Sequence, residues 1–163
     1  MFPLACRVTL ADTAASLRLG RMEQQVHFVT IAATDLDATR NFYGALGWRP
    51  LLDVEGEIIF YQVAAGQVLG FFLADKFNQD LALPGDHSRV SGVTVAHNVE
   101  SPDAVIALAD AMAVAGGVVI KAPQLGQFGG VFHAHVQDPN GLIWEIAHNP
   151  GWRIAPDGTV SLG

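Results

Sequence analysis

The chain has 163 residues, one domain on the usual scale of about 100–200, and its content of 50% hydrophobic and 15% charged residues excludes wholesale disorder. Sixteen Asp and Glu against nine Lys and Arg give a net charge of −7, which repels phosphate backbones and argues against a nucleic-acid partner; no apolar run approaches the roughly 18 residues of a membrane span. The single cysteine, Cys6, permits no internal disulfide and no cysteine-based metal site, and fits a cytoplasmic protein.

Residues 1–24 read as a tail. Arg7 interrupts the apolar stretch that a signal peptide needs, and Met22 offers an internal start. From residue 26 the pattern becomes regular. Residues 26–33 alternate and are rich in β-branched side chains, as in a strand. Thr34 or Asp35 caps a helix through residue 46, with Leu36, Phe42, Tyr43 and Leu46 at helical spacing, and Gly47 ends it. Strands are expected at 48–54, 58–64 and 67–73, punctuated by Gly56 and Gly66, and a polar connector follows. A strand at 92–98 leads to a helix opened by Ser101 or Asp103 and closed by Gly116-Gly117. A strand at 118–121 precedes a hairpin, 130–137 and 142–148, around Asp138-Pro139-Asn140-Gly141.

The order of elements repeats, and so does a short motif: Val29-Thr30-Ile31-Ala32 recurs as Val93-Thr94-Val95-Ala96. Internal duplication explains both. The expected fold is α+β: two βαβββ modules, 25–74 and 91–148, joined by a connector at 75–90 within a domain spanning 25–152, followed by a tail at 153–163. A module of about 60 residues is marginal alone, so the two must pack together, their curved mixed sheets lining a cleft.

Val29-Thr30-Ile31, Asp35-Leu36, Asn41-Phe42-Tyr43, Leu46-Gly47-Trp48, Asp138-Pro139-Asn140-Gly141 and Trp144-Glu145-Ile146, in this order and spacing, carry a family likeness. Over 25–152 the sequence resembles the vicinal oxygen chelate superfamily, which includes glyoxalase I, bleomycin-resistance proteins and extradiol dioxygenases. The stretch from Trp144 through Asn149-Pro150-Gly151 to Trp152 is similar to an uncharacterised bacterial branch. The resemblance implies a glyoxalase-like fold, a homodimer with clefts built across the subunit contact, and, in metal-dependent members, four His, Glu or Gln ligands on four strands. Here Phe28 stands at the first ligand position and His27 one residue off, on the opposite face of a strand. Gly70 and Gly92 match the second and third, and Glu145 alone matches the fourth. One carboxylate does not hold a catalytic divalent ion, so no metal cofactor is expected at the family's site.

His133 and His135 are two residues apart on a strand and share a face. A three-residue loop with Gly141 left-handed would set His135 opposite Glu145 and His133 opposite Ala147, all on the cleft side; a loop one residue shorter or longer would put both imidazoles on the helix side. Three readings are open for His133, His135 and Glu145: a rebuilt divalent-metal site, acid–base catalysis on a bound organic molecule, or a polar lining without chemistry. The function expected is binding of a small organic molecule among Phe28, Thr30, Thr94, His133, His135 and Glu145. The alternative is a metal-dependent lyase, isomerase or dioxygenase using the rebuilt site.

Overall fold

The structure, a computed structural model, describes Met22, residues 24–127 and residues 129–162. The expected N-terminal tail, with Cys6, lies outside the described residues apart from Met22 and Gln24. The first half contains β1 (Phe28–Ala33), α1 (Leu36–Ala45), β2 (Leu52–Val54), β3 (Ile58–Ala64) and β4 (Gln67–Leu73). Its sheet has the order β1-β4-β3-β2, with β1 and β4 parallel and the other pairs antiparallel. A helix, α2 (Ala74–Leu81), leads out of this sheet. The second half repeats the plan with β5 (Thr94–Asn98), α3 (Pro102–Val114), β6 (Val118–Leu125), β7 (Phe132–Gln137) and β8 (Ile143–His148). Its sheet runs β5-β8-β7-β6, and again only the first pair is parallel. The expected α+β fold of two βαβββ units is therefore the fold observed. β9 (Trp152–Ile154) and β10 (Val160–Leu162) close the described chain as a small hairpin, where a plain tail was expected.

Local chemistry explains the two long helices. Asp35 caps α1, its carboxylate accepting from the Ala38 amide at 2.8 Å, and Gly47 ends the turn at φ +85°. Ser101 caps α3 in the same way, with Pro102 in the first turn. Leu36, Thr39, Phe42 and Tyr43 bury one face of α1, and Val105, Ala109 and Met112 one face of α3. Both faces join a single core with Ile59, Phe71, Val136 and Ile146, so neither half is closed without the other.

Tyr43 is the node of that core. It is 1% exposed, its hydroxyl donates to Asp138 Oδ2 at 2.7 Å, and it accepts from the Trp144 indole N–H at 3.0 Å. Asp138 is itself 4% exposed and accepts from the amides of Asn140 and Leu142. A first-half helix is thus bonded to the second-half hairpin turn. Burial pushes the Asp138 carboxyl above the usual carboxylate value, against the pull of these donors.

Four expectations are corrected. The stretch after β4 was expected to be irregular, but α2 forms because no Gly or Pro falls within it; Pro84 and Gly85 come after its end at Leu81. β2 begins at Leu52, not 48, because Trp48 turns into the core beside Tyr43, Tyr61 and Trp144, and Pro50 has no amide to give a ladder. β5 begins at Thr94, since Gly92, at φ +70°, is not extended. β6 reaches Leu125, Pro123 being tolerated on an edge strand.

Candidate functional site

The β7–β8 turn decides which way the histidines point. Gly141 takes φ +89°, and the Asp138 amide donates to the Leu142 carbonyl at 2.9 Å, as in a three-residue loop with a left-handed third residue. His135 therefore pairs with Glu145 and His133 with Ala147. Ala134, Val136, Trp144 and Ile146, which alternate with them, are buried in the core, so the two imidazoles and the carboxylate lie on the opposite face of the sheet.

His133 Nδ1 is 2.9 Å from Glu145 Oε1, and the His133 and His135 ring centroids are 5.2 Å apart. Lys121, on β6, completes the group: its Nζ is 2.7 Å from His133 Nε2. A lysine ammonium only donates. His133 Nε2 therefore accepts, and the ring proton sits on Nδ1, donated to Glu145. His135 has no hydrogen-bond partner among the described residues, and burial pushes its imidazole below the ordinary histidine value, Glu145 opposing and His133 and Lys121 adding to the shift.

One ligand atom from each of His133, His135 and Glu145 lies within 4.8 Å of the others, and two imidazoles with a carboxylate are a donor set suited to Zn²⁺, Fe²⁺ or Ni²⁺. As bonded, however, the set does not fit a divalent ion. Lys121 takes one nitrogen of His133, Glu145 takes the proton on the other, and only His135 and the carboxylate remain.

Thr94 lies on the same face: it pairs with Ile143, two positions from the Ala96–Glu145 pair. Phe28 and Thr30 are on the other sheet, and no hydrogen bond among the described residues joins them to the histidines. Phe28 stacks edge to face on Phe60 at 5.2 Å. A Cβ on Gly70 would stand 3.1 Å from the Phe60 ring and 3.7 Å from Thr30 Oγ1. Gly70, expected at the second position of the family's ligand set, is thus bare backbone beneath an aromatic ring. His27, expected within the first strand on the face opposite Phe28, is exposed just before β1. Sequence reasoning missed Lys121; the signal available was a lone lysine ending the apolar run Val118-Val119-Ile120.

A cavity of about 630 Å³ opens elsewhere, between the halves, lined by Trp48, Arg49, Tyr61, His97 and Trp144 among others. Tyr61 and Trp144 belong to the core side of their sheets, and His133, His135 and Glu145 do not line it.

Residues 25–146 match the family model described as Glyoxalase/Bleomycin resistance protein/Dioxygenase superfamily. The chain belongs to this superfamily. It is similar to a glyoxalase-related enzyme from Fulvimarina pelagi, with 37% identity and a TM-score of 0.78 over 86% of this chain and 99% of that one. A glyoxalase/bleomycin resistance protein/dioxygenase from Nocardioides shares the fold at 18% identity and TM-score 0.65, covering 86% of this chain and 94% of its own. Lactoylglutathione lyase from Agrobacterium tumefaciens does so at 18% and 0.59, covering 78% and 96%. No curated protein matches the sequence. Superfamily membership accounts for the duplicated topology; it does not choose among the superfamily's chemistries. Among the described residues no helix is long and apolar enough to cross a membrane.

Proposed function

We propose that this superfamily member binds a small organic molecule on the face carrying Lys121, His133, His135 and Glu145, without a resident metal ion. The observation that carries the reading is the bonded chain Lys121–His133–Glu145 beside a histidine with no hydrogen-bond partner among the described residues. Lys121 keeps two ammonium hydrogens for an acceptor oxygen, and neutral His135 offers one donor and one acceptor. The ligand that fits carries an oxygen for Lys121 and a polar group for His135, with Thr94 at the edge of the same face.

Among the described residues this face is open. Closing it is assigned to a second copy, whose Phe28 and Thr30 would supply the apolar wall; Phe28 is 51% exposed. Edge strand β6 also leaves Val118, Val119, Ile120 and Leu125 exposed, an apolar run of the kind that interfaces cover. A homodimer of the 17.3 kDa chain is the expected assembly.

The test is a thermal-shift screen of small organic molecules, with hits followed through the histidine imidazole NMR signals and by light scattering for mass. A hit that moves the His133 and His135 signals, and binds about tenfold or more weakly to His135→Ala, supports the reading. Hits that ignore His135→Ala and perturb only the cavity at Trp48 and Trp144 refute it. The second reading, a metal-dependent lyase, isomerase or dioxygenase, rests on the proximity of the three donors.

A further inference from the structure

The three donors lie close enough for a metal site, yet their bonding does not fit one. We infer that Lys121 is the group that bars a divalent ion from His133, His135 and Glu145, by locking the tautomer of His133, and that removing its charge alone converts the cluster into a three-ligand metal site. This deepens the metal-free reading above and rests on it.

Neutral imidazole carries one lone pair and one N–H. With the Lys121 ammonium 2.7 Å from Nε2, the lone pair must be there and the proton on Nδ1, where Glu145 accepts it at 2.9 Å. A metal approaching Nδ1 needs the lone pair on that atom. The proton would then move to Nε2 and face the ammonium, donor against donor. A metal approaching Nε2 must displace the ammonium itself. Either route also brings a divalent cation near a fixed positive charge in a half-buried site.

The lysine is held there by the irregular ladder of β6. Lys121 pairs with His135 and Gln124 with His133, so two residues of β6 fall between positions that are two apart on β7, and the register shifts between them. With the ladder so shifted, the tip of Lys121 meets His133 and not its register partner His135. The lock thus belongs to the second half alone and needs nothing from Phe28, Thr30 or Gly70.

Lys121→Met keeps the stem's length and removes every donor. The imidazole can then turn either lone pair outward, and His133, His135 and Glu145 together make a two-histidine, one-carboxylate set. The experiment titrates Ni²⁺ or Zn²⁺ alone into metal-stripped full-length protein by calorimetry. Lys121→Met is expected to bind one ion per chain about 10- to 100-fold more tightly than the parent, the range by which groups bonded to metal ligands alter affinity. The gain is expected to vanish in Lys121→Met/His135→Ala. Long-range ¹H–¹⁵N spectra of the parent protein are expected to show the His133 proton on Nδ1, a readout that does not depend on how the variant folds. Equal weak binding by parent and variant, or a parent His133 protonated on Nε2, would overturn the role of Lys121. Tight stoichiometric binding by the parent would overturn the metal-free reading as well.

Discussion

Replacing Tyr43 by Phe removes one oxygen and leaves the ring's packing intact, so the cost reports the hydrogen bonds alone. The hydroxyl donates to a buried carboxylate at 2.7 Å and accepts from a buried indole at 3.0 Å. A bond to a charged group contributes about 1.5–3 kcal/mol, and an indole N–H left unpaired in the core costs about 1–3 kcal/mol. Tyr43→Phe is therefore expected to lose about 3–5 kcal/mol at neutral pH, a large part of a domain's stability, and to lower Tm by roughly 6–20 °C. The loss should depend on pH. Asp138 already has a raised pKa in the folded chain, so the fold holds its proton more tightly than the unfolded chain does. The corresponding stability is present below the ordinary carboxylate pKa and is lost as pH rises through the folded value. Without the Tyr43 donor that value rises further, and the variant's deficit is greatest when Asp138 is charged. Urea unfolding near pH 7 and near pH 4 measures both quantities. A deficit under about 1 kcal/mol, or an equal deficit at the two pH values, refutes the account of Tyr43 as a hydrogen-bonded link between the halves.

Two further outcomes follow from particular contacts. In Glu145→Gln, the charge that holds the His135 pKa up is gone, so its NMR titration midpoint should fall below the parent's already lowered value. A base with a depressed folded pKa contributes stability above the ordinary histidine pKa and loses it as pH falls through the folded value, so the acid limb of the stability profile should also move down; an upward or absent shift contradicts the electrostatic assignment. Gly117→Ala should cost about 1–3 kcal/mol in chemical denaturation, because its Cβ would stand 2.9 Å from the Met112 carbonyl and from Val136, and 3.0 Å from Phe42, in a core with no slack. An unchanged Tm would show that the α3–β6 turn is looser than these distances require.

Much of the fold was legible in local chemistry. Alternation marked β1, glycines punctuated β3 and β4, capping residues opened α1 and α3, and glycines closed them. Asp138-Pro139-Asn140-Gly141 carried more than a turn: its loop length set the strand register and with it the side of the sheet on which His133, His135 and Glu145 lie. The misjudged elements have physical reasons too. The segment of α2 is polar, with no buried residue to mark its period, and Trp48 leaves the strand pattern for the aromatic core. The lysine of the site depended on an irregular ladder in β6 that no residue of that strand announces.

By itself, then, the sequence determined what near neighbours decide: the elements of the two βαβββ units, their order, their duplication, and a histidine pair beside a carboxylate. Only the tertiary structure decided which distant groups share a hydrogen bond. Lys121 meets His133 across 12 residues of chain, and Tyr43 meets Asp138 across 95. Periodicity and turn chemistry act within a few residues, whereas these contacts depend on how two strands slip and two halves dock, and there the bonding of one imidazole is settled.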